Sequence, residues 1–345
     1  MKAIVLHGVG EPETIRLEDA ADLRPGPGEV MVRLRAAALN HRDLFIRRGQ
    51  YADLRFPIIP GSDGIGAVAA VGDGVTEVRL GDGVTEVRLG DEVIINPSVN
   101  WGDNPRAQGP AFTILGLPDN GTFAQYVVVP AANALPRPPG LSDEEAAAIP
   151  LAGLTAYRAA VTRGRVGAGD TVLVLGIGGG VATFVLLIAT ALGARVLVTS
   201  GSDDKIARAR ALGADDGFNY KTVNWVKAVK EATGGQGADL IVDGTGGATF
   251  NQALDAARPG GRVVSYGATT GPVPELAVRR LFFKQLDVMG STMGSPDDFR
   301  AMLDLFGAGK ARPVVDRVFP LAEAGAALGH MEQAAQFGKI VLKID

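Results

Sequence analysis

The chain has 345 residues, 46% of them apolar and 21% charged, a globular composition at a length better served by two cores than by one. Its net charge of -4, from 34 basic and 38 acidic side chains with no block of either sign, argues against nucleic acid as a partner. There is no cysteine, which removes disulfides, thiol nucleophiles and thiolate metal sites, and the three histidines, His7, His41 and His330, show no ligand spacing.

The first residues, MKAIVLHGVGEPE, alternate like a strand and do not lead into a secretory apolar core. Up to about Tyr126, short alternating runs recur between Gly and Pro: EVMVRLRAAAL at 29–39, GIGAVAAVG at 64–72, DEVII at 91–95 and TFAQYVVVP at 122–130. Strands this short, punctuated this often, predict a compact β-barrel-like domain. Within it GDGVTEVRL stands at 72–80 and again at 81–89. Two copies are too few for a solenoid. An odd-numbered insert would reverse the faces of any strand it extended, so one copy is expected to loop out.

From about Asp170 the rhythm changes. Apolar runs at 171–176, 194–199, 239–243, 261–267 and 286–290 alternate with helix-length amphipathic stretches. Continuous apolar strands separated by helices predict a parallel sheet covered on both faces. Ser202-Asp203-Asp204 can cap one of these helices, and Gly213 follows its apolar face. Val181 to Ala194 is the longest apolar run, but Thr183, Thr190 and Gly193 interrupt it, so it reads as a buried helix and not a membrane span. The expected compartment is the cytoplasm. The tail predicts helices around 298–309 and 321–336 and a closing strand at 339–344.

The strongest local signal is TVLVLGIGGGVATFVLLIATALGA at 171–194. A strand ends in Gly176, Gly178, Gly179 and Gly180, and an apolar helix follows at once through Val181. Glycines let the backbone turn and approach a pyrophosphate, whose charge then meets the helix N-terminus; a plain tight turn is the bland alternative. An NAD site normally has Asp or Glu about 20 residues further on, at the ribose 2′-OH. Here Ser200 stands in that place, followed by Ser202 and Lys205. Small hydroxyls and a cation leave room for a 2′-phosphate, hence NADP(H). Asp203 and Asp204 oppose a phosphate and are read as helix caps.

At this point the chain resembles the medium-chain dehydrogenase/reductase superfamily of zinc alcohol dehydrogenases and quinone oxidoreductases. The matching stretches run end to end: LNHRDLFIRRGQY at 39–51, PIIPGSDGIGAV at 57–68, GTFAQY at 121–126, LAGLTAY at 151–157, the glycine loop, ALGAD at 211–215, PGGRVV at 259–264 and GKIVL at 338–342. The resemblance implies an α/β protein with a GroES-like β-barrel catalytic domain over 1–150, a Rossmann doubly wound domain over 151–297, and a return to the first domain over 298–345. It further implies cofactor contacts at His41, Thr155, Tyr220, Thr245, Gly267 and Lys339, the last near the phosphates. The bland alternatives are simple loop packing for Tyr220, turn geometry for Gly267, and capping of a helix beginning there for Thr155. A homodimer pairing through the edge strand near 286–293 is the family's habit.

The departures from the family are informative. Zinc-dependent members carry Cys at the position of Asn40, a His-Glu pair at Ser62-Asp63, and Cys or Asp at Leu151. The resemblance therefore points to the zinc-free, quinone-reductase-like branch. There Asn40, Asp43 and Tyr51 match the polar trio of the nicotinamide pocket. Asn40 would donate to substrate oxygen or to the nicotinamide amide, Tyr51 would donate a proton or hydrogen bond, and Asp43 would orient its neighbours. The structural alternative is that Asn and Asp simply mark a helix start. The leading expectation is reduction of quinones or enones by NADPH. An alcohol or carbonyl oxidoreductase and a non-catalytic NADPH-binding protein stand as alternatives.

Overall fold

The computed structural model describes residues 1–75, 78–80, 83–85 and 87–345, with the backbone alone at 13, 78–80 and 83–85. The chain forms two compact units, one of Met1–Ala152 with Gly294–Asp345 and one of Gly153–Met293.

In the first unit a long strand, Glu29–Ala38, organises the sheet. Its side chains alternate at first, with Val30, Val32 and Leu34 buried; then Ala36, Ala37 and Ala38 are all buried, so both faces of the strand are covered there. Asp63–Val71 pairs antiparallel to it and Glu92–Ile95 pairs with Asp63–Val71 in turn. The C-terminal strand, Lys339–Lys343, lies antiparallel against the other edge, Val341 opposite Ala38, and Leu39 N donates to Ile340 O at 3.0 Å. That pairing carries Lys339 to the end of Glu29–Ala38, where the chain turns into the helix His41–Arg47.

The tail contains a strand that the apolar pattern does not announce. Val315–Pro320 runs parallel to Lys339–Lys343. As a largely exposed edge it needs no continuous apolar run. The tail helices are Pro296–Gly307 and Ala324–Glu332. Between Asp63–Val71 and Glu92–Ile95, Val78–Leu80 and Gly83–Thr85 pair as an antiparallel ribbon separate from the large sheet. The expectation that one repeat copy loops out falls partly on residues 76, 77, 81, 82 and 86, outside the described residues.

The second unit is a six-stranded, all-parallel sheet. Its spatial order is Asp216–Asn219, Arg195–Ser200, Thr171–Val174, Ala238–Asp243, Ala257–Ser265, Asp287–Gly290. The chain starts in the middle, winds to one edge, then returns to the centre and winds to the other. This is the doubly wound order, in which the winding reverses at the carboxyl ends of the two central strands. The central strands are apolar because both faces are covered: Val172, Leu173, Val174, Val196, Leu197, Val198, Leu240, Ile241 and Val242 are all fully buried. Asp216–Asn219 escaped the sequence pattern because it is a half-buried edge. The α/β class with two different sheets is thus present. Among the described residues no helix is long and apolar enough to cross a membrane.

Candidate active site

In the second unit the carboxyl ends of the strands gather a set of backbone turns and small polar groups. Thr171–Val174 is followed by Gly176 and Gly178, both at positive φ, and the helix Gly180–Ala191 starts with Gly179 as its N-cap. No capping side chain covers that end, so its first amides are available to an anion, with Val181 in the first turn. Gly176 N donates to Thr199 Oγ1 at 3.1 Å, which ties the loop to the neighbouring strand. A Cβ on Gly178 would meet Lys205 Cδ at 2.8 Å, so Lys205 lies across the loop. Ser202 caps the helix Asp203–Ala211 by accepting from Lys205 N, and Ser200 Oγ accepts from Ser202 N at 3.3 Å. Asp203 and Asp204 take the first helical turn, where negative charge is favoured. Tyr220 is half exposed, and a Cβ on Gly201 would meet its hydroxyl at 2.7 Å and Lys221 Cε at 2.8 Å.

The next strand ends build the other side. Asp243, wholly buried, accepts from Thr245 N at 2.7 Å and from Thr245 Oγ1 at 2.6 Å, and the same hydroxyl meets Thr249 Oγ1 at 3.0 Å. A Cβ on Gly176 would touch Thr245 Cγ2 at 3.3 Å, and one on Gly267 would meet Gly244 O at 3.2 Å. Thus Gly176, Gly179, Gly180, Val181, Ser200, Ser202, Lys205, Tyr220, Thr245 and Gly267 all stand at the carboxyl edge of this sheet. Thr155 lies inside the helix Pro150–Tyr157, with Oγ1 4.0 Å from Met293 Sδ. It is therefore not the cap of a helix beginning there, because the helix starts five residues earlier at a proline suited to a first turn. Sequence reasoning missed Tyr266, whose ring lies within 2.4 Å of a Cβ placed on Gly244. Burial, then the Asp243 charge, raise its hydroxyl above the usual tyrosine range.

The first unit holds the remaining residues. Asn40 ends the extended chain and caps His41–Arg47; its backbone N donates to Asp43 Oδ2 at 2.7 Å. Its side-chain amide also engages Asp63 and Lys339. Asn40 Nδ2 donates to Asp63 Oδ2 at 2.9 Å, and Asn40 Oδ1 accepts from Lys339 Nζ at 2.7 Å. Lys339 Nζ also donates to Asp63 Oδ2 at 2.8 Å and to Leu39 O at 2.6 Å, while Asp63 Oδ1 accepts from Leu151 N at 2.7 Å. Asp63 is wholly buried, and Lys339 nearly so. Asp43, also buried, has an Oδ1 with no hydrogen-bond partner among the described residues. Burial raises its carboxyl to about 6, against the opposing pull of Arg42.

The Tyr51 ring centroid lies 5.1 Å from the guanidinium of Arg42. Arg42 is itself buried and donates to Ser62 Oγ and Leu115 O, each at 2.8 Å. His41 starts its helix, and its pKa lies below the ordinary histidine range, first through desolvation and then through the Lys339 charge. His7 pairs with Glu18 on the surface and His330 with Asp316, both within the first unit and apart from the cluster. The sequence singled out Asn40, Asp43, Tyr51 and Lys339; it missed Asp63 and Arg42 as members of the site. For Asp63 the available signal was a single charge inside an apolar stretch, which must find a partner; Arg42 stands among other charged residues and carried no such signal.

A zinc ion does not fit this donor set. At the ligand positions of the zinc enzymes stand an amide, a hydroxyl already bonded to Leu115 O, a carboxylate and the apolar Leu151. Zinc takes thiolate, imidazole and carboxylate ligands, and here the single carboxylate is held by an ammonium at 2.8 Å. Among the described residues no group of three His, Asp or Glu could hold a metal.

The geometry defines a class: a β-sheet unit and a doubly wound parallel-sheet unit in one chain. Comparison with known proteins agrees. Residues 26–139 match the family described as "Alcohol dehydrogenase GroES-like domain", and residues 180–308 match "Zinc-binding dehydrogenase". A zinc-type alcohol dehydrogenase-like protein of Leptosphaeria maculans is 37% identical over 337 residues, covering 93% of this chain and 92% of its own. A quinone oxidoreductase of Pseudomonas aeruginosa is 32% identical, covering 97% and 96%. A crystal structure of an NAD-dependent alcohol dehydrogenase superposes with a TM-score of 0.92 at 42% identity, covering 100% of both chains. The chain belongs to the medium-chain dehydrogenase/reductase superfamily and is an oxidoreductase of that family.

Proposed function

We propose that this oxidoreductase uses NADPH, without zinc, to reduce quinones or α,β-unsaturated carbonyls. The observation that carries this reading is the closed Asn40–Asp63–Lys339 cluster at the positions where zinc enzymes place their ligands. Bound NADPH would supply the hydride. The Gly176–Gly180 loop, with Val181, cradles the pyrophosphate, and Ser200, Ser202, Lys205 and Tyr220 receive the 2′-phosphate. Thr155, Thr245 and Gly267 line the nicotinamide side. In that unit Asn40 donates a hydrogen bond to the substrate oxygen, Tyr51 supplies a further donor, and Asp43 holds the Asn40 backbone in place.

A donor aimed at a developing oxyanion contributes about 2.7–4 kcal/mol, against several kcal/mol from a metal. Conjugated substrates, which delocalise the charge themselves, need the metal least. The likeness to the 42%-identical NAD-dependent alcohol dehydrogenase favours a second reading: an alcohol or carbonyl oxidoreductase working through hydrogen bonds.

The test is oxidation of NADPH and NADH, followed at 340 nm, against quinones, enones, aldehydes and ketones, each with and without EDTA. The proposal expects NADPH-selective turnover of a quinone or enone that EDTA leaves unchanged. Activity restored only by zinc overturns it, as does turnover confined to aldehydes and ketones; the latter supports the second reading. We further propose that the protein works in the cytoplasm as a homodimer. The edge strand Asp287–Gly290 is largely exposed, and beside it the helix Val278–Lys284 buries no residue and exposes Phe282 and Phe283.

A further inference from the structure

The ammonium of Lys339 is 3% exposed and donates to three oxygens: Leu39 O at 2.6 Å, Asn40 Oδ1 at 2.7 Å and Asp63 Oδ2 at 2.8 Å. An ammonium has three N–H donors and no acceptor. All three are engaged within the first unit, which leaves none for a cofactor phosphate. The same bonds decide the orientation of the Asn40 amide. Its oxygen faces a group that can only donate, and its nitrogen faces a carboxylate that can only accept. Turning the amide over would set N–H against ammonium and oxygen against carboxylate, two repulsive contacts in a buried place.

One Nδ2 hydrogen goes to Asp63, and the second has no acceptor among the described residues. It belongs to a side chain only 6% exposed, where an unmade hydrogen bond is costly. Charge acts through the same amide. A cation on the carbonyl oxygen draws density from the nitrogen, and hydrogen bonds in a chain strengthen one another. The remaining N–H is therefore both fixed in direction and a stronger donor than that of a free carboxamide.

We propose that Lys339 is a positioning residue that orients and polarises the Asn40 amide, so that its unpaired Nδ2–H meets the substrate oxygen in place of a metal ion. This rests on the reading of Asn40 as the oxygen-binding donor. Lys339 acts through Asn40 and touches no substrate itself. Asp63 completes the clamp by holding both the ammonium and the first Nδ2 hydrogen.

The experiment compares Asn40→Ala, Lys339→Met and the double variant in NADPH-driven reduction of 1,4-benzoquinone and 2-cyclohexen-1-one, with NADPH affinity measured separately by fluorescence titration. Losing one oxyanion donor costs about 100-fold or more in kcat. Lys339→Met is expected to lower kcat by about tenfold to 100-fold, to leave NADPH affinity within about twofold, and to add little in the Asn40→Ala background. Multiplicative losses in the double variant overturn the proposal, as does a Lys339→Met defect confined to NADPH affinity. Wild-type kcat in Asn40→Ala overturns the underlying reading of Asn40 instead.

A second readout is independent of turnover. With asparagine 15N-labelled, the Asn40 side-chain signals, assigned by their loss in Asn40→Ala, are expected downfield and slow to exchange. In Lys339→Met they should move upfield and exchange faster; unchanged signals refute the clamp. Because Lys339→Met leaves the Asp63 charge buried and unpaired, the neutral pair Lys339→Met/Asp63→Asn serves if the single variant fails to fold, with the same expectations.

Discussion

Asp43 is a carboxylate that the fold holds at a disadvantage. It is wholly buried, Oδ2 accepts the Asn40 amide at 2.7 Å, and Oδ1 has no partner among the described residues. Desolvation above all, with the Asp63 charge, raises its pKa, while Arg42, the Asn40 backbone N–H and Lys339 pull it down; the net value is about 6. In the unfolded chain an aspartate titrates near 3.9. Two units at 1.36 kcal/mol each make about 3 kcal/mol of stability present below pH ~4 and lost as pH rises to ~6.

Removing that charge should recover most of this loss. In Asp43→Asn the side-chain oxygen still accepts from the Asn40 amide, and the new NH2 replaces an oxygen that had no partner. Its missing negative charge in the first turn of His41–Arg47 costs about 0.3–1 kcal/mol, smaller than the gain. The net expectation is about 2 kcal/mol of added stability at pH 8, or roughly 4–8 °C in the melting temperature of a domain this size. Thermal melts of both proteins between pH 4.5 and 8 test it, and the gap should close toward the acid end. A variant less stable at pH 8, or a gap that does not change with pH, refutes the reasoning.

Two further outcomes follow from the second unit. Lys205→Ala should weaken NADPH binding by about tenfold to 100-fold, the ~1.5–3 kcal/mol typical of a hydrogen bond to a charged group, while NADH binding changes less than about threefold; equal losses for both cofactors would place Lys205 away from the 2′-phosphate. Replacing both exposed rings, Phe282→Glu with Phe283→Glu, should turn a dimer into a monomer in sedimentation velocity at micromolar concentration with the glycine-loop helix intact by circular dichroism, and a dimer that persists moves the interface elsewhere.

The second unit was legible because its signals are local. The step from Thr171–Val174 to Gly176 and on to a helix is continuous in sequence, and the buried strands are runs of Val, Leu and Ile. Asp216–Asn219 and Val315–Pro320 were missed because edge strands bury little and so carry no apolar run. The clamp was illegible for a different reason. Lys339 lies 276 residues from Asp63 and 299 from Asn40, and only the pairing of the last strand with Glu29–Ala38 brings them together. Lys339 was expected at the cofactor phosphates, and nothing in its local sequence indicates an ammonium turned toward Asn40. What the sequence did carry was a charge in each of two otherwise apolar segments.

The energetics of that clamp bear on its purpose. Taking an ammonium and a carboxylate out of water costs several kcal/mol per ion, and a well-packed apolar pair of similar volume is often as stable or more so. A buried ion pair is therefore weak grounds for stability. Here the cost is limited by complete pairing: Lys339 has three acceptors, and Asp63 receives Leu151 N, Asn40 Nδ2 and the ammonium. The one hydrogen left without an acceptor in this network is on Asn40, at the position where zinc relatives carry a ligand. An apolar pair at 63 and 339 would fold as well but would leave the amide free to turn over, with its oxygen rather than its N–H presented to substrate. Directionality is what the charges add, and it is also what a single hydrogen-bond donor needs if it is to work at an oxyanion without a metal.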